Sequence, residues 1–155
     1  MRCLLASAAL AMLITAGTAG CSDPPLDCVK DLSTTCTPLY APTFDNVLQD
    51  TLLPKCATGG GSCHTPEGHQ AGLSFDKNDP DGAYHQMMSN STVHVGRERV
   101  APGDPACSVV VERIETEIGR WHMPRGSTLA DNEKCSIVQW IAQGALRNPV
   151  DATTP

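Results

Sequence analysis

Cys56-Ala57-Thr58-Gly59-Gly60-Gly61-Ser62-Cys63-His64 sets a histidine directly after the second of two thiols, across a six-residue spacer that holds three successive glycines. Sulfur and imidazole nitrogen are the donors that hold transition metals and metal-bearing cofactors. Three glycines in a row suit a looped-out bulge, because glycine accepts the tight and positive-φ conformations a bulge needs. Immediately upstream the apolar residues take a helical period. Thr43 reads as an N-cap, and Phe44, Val47, Leu48 and Leu52 recur at the spacing of one buried face. Pro54 is expected to end this helix, which sets the thiol pair just beyond its C-terminus.

Outward on the other side, Thr65 to Asp81 reads as a loop in which Leu73 and Phe75 alternate, the pattern of a short extended segment lying over a buried group. A brief helix is expected from Gly82 to Met88, with Tyr84, Met87 and Met88 on its apolar side. Arg99 to Gly103 reads as a turn. A third helix follows, capped by Asp104 with Pro105 in its first position, and striped by Cys107, Val110, Val111, Ile114 and Ile118 up to Gly119. Trp121-His122-Met123-Pro124 opens another loop. The last helix runs from Asp131 or Asn132 to Gln143, ends at Gly144, and presents Cys135, Val138, Ile141, Ala142 and Ala145, with Ile137 and Trp140 beside them. The expected fold is all-α: about four helices joined by long irregular loops over residues 43–147, with a flexible tail at 148–155. Only 4% of the residues are aromatic, so such a domain has a thin core unless something else fills it.

The N-terminal residues carry a different message. Arg2, the apolar run Leu4 to Ile14 and the small residues that follow read as a signal peptide over 1–20, too short in its apolar part to span a bilayer. Thr18-Ala19-Gly20-Cys21 resembles the lipobox of bacterial lipoproteins, with Thr18 where that pattern prefers a leucine-like residue. Cys21 is then the lipidated first residue, anchoring an exported chain to a membrane of the cell envelope. Removing residues 1–20 takes away one charge, Arg2, and moves the formal net charge from −6 to −7. An acidic chain poor in aromatics argues against nucleic acid as a partner. Residues 21–42, rich in Pro, Asp, Ser and Thr, read as a disordered tether. Six cysteines remain for the mature domain, and an oxidising compartment favours pairing them. The pairs expected from position are Cys28 with Cys36, inside the tether, and Cys107 with Cys135, at the starts of two helices.

Cys-His is also the closing half of the signature by which haem is tethered to c-type cytochromes, although that signature spaces its cysteines by two residues. Three segments in order carry a wider likeness: Leu53-Pro54-Lys55-Cys56 leading to Cys63-His64; Val100-Ala101-Pro102-Gly103-Asp104-Pro105 with Ser108; and Met123-Pro124 followed by Gln139-Trp140-Ile141-Ala142-Gln143-Gly144-Ala145. Together they resemble the small haem c domains of bacterial lipoproteins and of the planctomycete-type cytochrome c group. The resemblance spans Phe44 to Ala145 and implies a cytochrome c-like fold in which the first and last helices cross. It implies haem c on Cys56 and Cys63, His64 as the proximal iron ligand and Met123 as the distal one. Imidazole with thioether favours ferrous iron, as suits an electron carrier. Phe44, Leu48, Leu73, Tyr84, Val110, Trp121 and Trp140 are the expected pocket wall.

Other readings of the same residues stay open at this point. Cys56 and Cys63 can bridge each other, or Cys63 and His64 can hold haem alone while Cys56 pairs elsewhere. Cys56, Cys63, His64 and His69 can be read as a small zinc site. A thiol oxidoreductase lacks the tight spacing it would need. Met123 can be a gap-filling core residue, with His122, His69, His85 or His94 in the distal position instead. The leading expectation is a monohaem c-type cytochrome for single-electron transfer at the cell envelope, with redox proteins as partners and no substrate of its own. The alternative is a haemless structural or binding lipoprotein stapled by disulfides.

Overall fold

The computed structural model describes residues 27–58, 63–117, 119 and 121–148. The signal peptide, Cys21 and the start of the tether, the Gly59 to Ser62 part of the spacer, Ile118 and residues 149–155 lie outside the described residues. Among those described, the chain is all-helical, with one isolated bridge between Asn90 and Glu98 and no strand. Among the described residues no helix is long and apolar enough to cross a membrane.

Helix α1 opens with one α turn, Phe44–Asn46, where the Thr43 hydroxyl oxygen accepts from the Asn46 N–H. It continues as a π-helical segment, Val47–Cys56. The expected stripe is borne out, since Phe44, Val47, Leu48 and Leu52 are all buried. Pro54 does not end the helix. A proline breaks the i→i+4 register, but the i→i+5 register carries the chain past it, with Ala57 N–H donating to the Leu52 carbonyl at 2.9 Å. Cys56 is therefore the last residue of this helix and does not lie just beyond its end, as expected from Pro54.

Helix α2 spans Pro80–Met88, begun by Asp79, whose Oδ1 accepts from Gly82 N–H at 2.9 Å. Helix α3, Val109–Glu115, starts later than its sequence signals indicate. Residues 101–108 form a turn locked by the buried Ser108 hydroxyl, which accepts from Ala101 N–H and donates to the Asp104 carbonyl, each at 2.9 Å. Gly103, at φ 81°, docks this turn on the end of the last helix by donating to the Ile141 carbonyl. That helix, α4, spans Asp131–Ala142, and Glu133 accepts from Ala130 N–H at its start. Packing of α1 against α4 makes the core. Phe44 lies 5.4 Å from Trp140 and 5.1 Å, edge-on, from Tyr84 between ring centres.

The expected cysteine pairing is overturned. Cys28 bonds to Cys107 and Cys36 to Cys135, so neither Cys28–Cys36 nor Cys107–Cys135 forms. Residues 27–42 are correspondingly a strap bound along the domain, where a disordered tether was expected. Val29 N–H donates to the Ala106 carbonyl at 2.8 Å, which brings Cys28 beside Cys107. Leu39 N–H donates to the Asn132 carbonyl and to Ser136 Oγ, and Gln139 donates to the Cys36 carbonyl at 2.7 Å, which brings Cys36 beside Cys135. Tyr40 completes the strap by hydrogen bonding through its hydroxyl to the buried Thr51 of α1. The bridges close 79 and 99 residues, long loops for which chain entropy predicts about 4–5 kcal/mol each before strain and overlap reduce it.

Candidate functional site

Where α1 ends, the core gives way to a cavity of about 480 Å³, within the usual range for small-molecule and cofactor sites. Its apolar wall comes from every part of the fold: Leu52 of α1, Leu73 and Phe75 of the extended segment, Met87 of α2, Ile114 of α3 and Ile137 of α4. Onto this wall the structure brings four residues singled out from sequence, Cys56, Cys63, His64 and Met123. Four cations, Lys55, Arg99, Arg113 and Arg125, also line it, and among the described residues no carboxylate does. In a chain of net charge −6 that is a marked local reversal.

His64 is held by its neighbours in one form. Its Nδ1 lies 3.1 Å from the Gln70 carbonyl and 3.2 Å from the Leu73 carbonyl. Carbonyls only accept, so Nδ1 carries the hydrogen and Nε2 keeps a lone pair. Burial lowers the basicity of the ring below its ordinary value, the two carbonyls work in the opposite direction, and the Arg99 and Arg113 charges lower it further. A neutral imidazole with one nitrogen anchored to backbone is the form that serves as a metal ligand. The backbone around it is closed: His64 N–H donates to the Cys56 carbonyl at 3.2 Å, and Phe75 N–H to the His64 carbonyl at 2.8 Å. The chain thus returns to the last residue of α1 after the spacer.

Cys56 and Cys63 lie outside both disulfides. Burial pushes the Cys56 thiol up to about 12, with the charges of Cys63 and Glu133 adding to the effect, so it stays protonated at neutral pH. Met123 is fixed at the backbone, donating its N–H to the Arg113 carbonyl at 2.8 Å. None of the histidines considered for the distal position lines the cavity. Both ring nitrogens of His122 face carbonyls, Thr116 at 2.7 Å and Ser127 at 2.8 Å. His94 Nε2 meets Arg113 Nη2 at 2.8 Å, His85 lies against Tyr84, and His69 lines a separate polar cleft with Asp76 and Asp79. Among the described residues no three His, Cys, Asp or Glu side chains are grouped as a metal site.

Of the expected wall residues, Leu73, Val110 and Trp121 line the cavity. Phe44, Leu48, Tyr84 and Trp140 do not, because they belong to the packing between α1, α2 and α4. The arginines went unnoticed from sequence. Arg99 is 6% exposed, and among the described residues its side chain donates to neutral acceptors: the Gln86, Ala71 and Gly72 carbonyls and the Ser89 hydroxyl. Burial lowers its affinity for the proton. Arg113 lies over the Trp121 ring at 4.3 Å and donates to the Trp121 carbonyl. Nothing in the local pattern around either arginine signals such a position; only their shared cavity does.

No protein-family model matches this chain, and no curated protein or solved structure matches it.

Proposed function

We propose that the cavity holds haem c, attached through Cys56 and Cys63 and ligated by His64 and Met123, and that the protein is a monohaem c-type cytochrome for single-electron transfer at the cell envelope. The observation that carries this reading is His64: a neutral imidazole anchored at Nδ1, on the wall of an apolar cavity that two thiols and a methionine also line. The donor set fits the group, since imidazole with thioether is the ligand pair of cytochromes c, and His64 and Met123 would supply it. The rest of the cavity fits it as well. A porphyrin offers a broad apolar body with two carboxylates, and the wall offers apolar side chains with Arg99 and Arg113 among them. A cation buried among neutral acceptors is costly unless an opposite charge joins it. The group supplies the one-electron chemistry; the chain's part is to exclude water, orient the imidazole and present the thiols.

The all-α architecture, with α1 packed on α4 through Phe44 and Trp140, supports the resemblance to a cytochrome c-like fold. The lipobox-like sequence at Cys21 supports anchorage to an envelope membrane, and the partners are then redox proteins met there. The test is expression of the full chain in a host that matures c-type cytochromes. Expected are a Soret band that survives acid-acetone extraction and a protein mass increased by one haem. Replacing Met123 by Ala then alters the ferrous spectrum and lowers the potential. A product with no covalent haem and a Cys56 to Cys63 bridge overturns the reading in favour of a haemless, disulfide-stapled lipoprotein.

A further inference from the structure

The four successive carbonyls of Gln70 to Leu73 are divided between two side chains. Those of Gln70 and Leu73 face His64 Nδ1 at 3.1 and 3.2 Å. Those of Ala71 and Gly72 accept from Arg99 Nη2 at 2.7 and 3.4 Å, and the Ala71 carbonyl also accepts from the Thr92 hydroxyl at 2.6 Å. The turn bends in an uncommon way, with His69 at φ 41°, Ala71 at 56° and Gly72 at 66°. Residues with side chains avoid that left-handed region at a cost of about 1–2 kcal/mol each, so the surroundings must impose it. Arg99 is placed to impose it. Its other nitrogen donates to the Gln86 carbonyl at 3.0 Å and to the Ser89 hydroxyl, which fixes the guanidinium to the end of α2.

We infer that Arg99 is a positioning residue for His64: its guanidinium ties the 70–72 turn to the end of α2, and the turn's outer carbonyls thereby hold the imidazole in its Nδ1–H form. The planar fork is what this needs, because it donates in two directions at fixed angles, whereas a lysine ammonium is a single flexible point. The tie matters for function only under the haem reading, in which Nε2 must be the free nitrogen. As a statement about the chain it does not depend on haem.

The test reads the tautomer of His64 directly. Nitrogen NMR of the full chain, purified without haem from a host lacking the maturation machinery, is expected to show the Nδ1–H form alone. In Arg99→Gln the Nε2–H form, which free imidazole side chains prefer in water, gains a major share. Arg99→Lys follows Arg99→Gln, since charge without the fork leaves the turn untied, and Thr92→Val moves the same signal less. Should Arg99→Gln prove unfolded, Arg99→Lys and Thr92→Val carry the test. If folded Arg99 variants, shown by cooperative unfolding, keep the Nδ1–H form, the inference is overturned; full rescue by Lys also overturns it. If the tautomer shifts as expected but the chain takes up no haem even in a host that matures c-type cytochromes, the role of Arg99 stands and the haem reading falls. In haem-loaded protein the same variants are expected to change the spread of the ferric haem methyl resonances, which follows the plane of the axial imidazole.

Discussion

Helices α1 and α4 each meet two environments. Phe44 and Leu48 of α1 and Trp140 and Ile141 of α4 are fully buried in the core, where the Trp140 indole N–H donates to the Leu146 carbonyl at 3.0 Å. Arg147 closes that end, paired with Asp45 and Asp81 and lying over the Phe44 ring at 5.3 Å. Elsewhere along the same helices, Leu52 and Ile137 face the cavity with its thiols, imidazole and cations. One region is complete in protein atoms. The other presents apolar surface and charge with a ligand-sized space between them. The Phe44–Trp140 contact that joins α1 to α4 thus lies away from the cavity, while Leu52 and Ile137 carry the same core up to its wall.

Substitutions in the two regions should differ in cost. Trp140→Ala removes the largest buried side chain of the finished region and is expected to cost about 3–5 kcal/mol, measured by urea unfolding. Replacing Cys36 and Cys135 together by Ser is expected to cost about 2–5 kcal/mol, and non-reducing peptide mapping should recover Cys28 with Cys107. Tyr40→Phe takes the strap's hydroxyl from buried Thr51, at about 1–3 kcal/mol. It also has a pH signature. The Tyr40 phenol is pushed up to about 12, by burial foremost, against an ordinary 10. Its contribution is therefore fully present below pH 10, where both states are protonated. It is lost as pH rises through about 12, because the unfolded chain ionises first. Unfolding midpoints of the parent chain and Tyr40→Phe should converge across that window.

On the cavity side the expected effects are smaller. Val110→Ala should cost less than about 0.5 kcal/mol in haem-free chain, because the side chain already borders open space, and more once the cavity is filled. Cys56 gives the matching chemical readout. With its thiol pushed up to about 12, alkylation in the folded, haem-free chain should stay slow through the range where ordinary thiols ionise, and quicken on unfolding. Rapid labelling of Cys56 in the native state would show that the wall beside it is open to water.

The residues that sequence reading handled well are those whose role follows from neighbours in the chain. Phe44, Val47, Leu48 and Leu52 announce a buried face by spacing, and Trp140 and Ile141 do the same for α4. Cys56, Cys63, His64 and Met123 announce themselves by donor chemistry, and all four reach one cavity. Pro54 misled because its effect depends on helix register, and a π-helical stretch absorbs it. The cysteine partners misled for a stronger reason. Polar composition made residues 27–42 resemble a tether, while the hydrogen bonds that bind them run to Ala106, Asn132, Ser136 and Gln139, far along the chain.

By itself, then, the sequence determined the helices, through apolar periodicity, and the donor set, through residue types that no ordinary core requires. Only the tertiary structure decided which thiols bridge, which aromatic residues fill the core instead of the cavity, and that Arg99 shares a turn with His64. Pairing, burial and shared hydrogen bonds depend on distances between residues remote in the chain, and those distances exist only once the helices and the strap have packed.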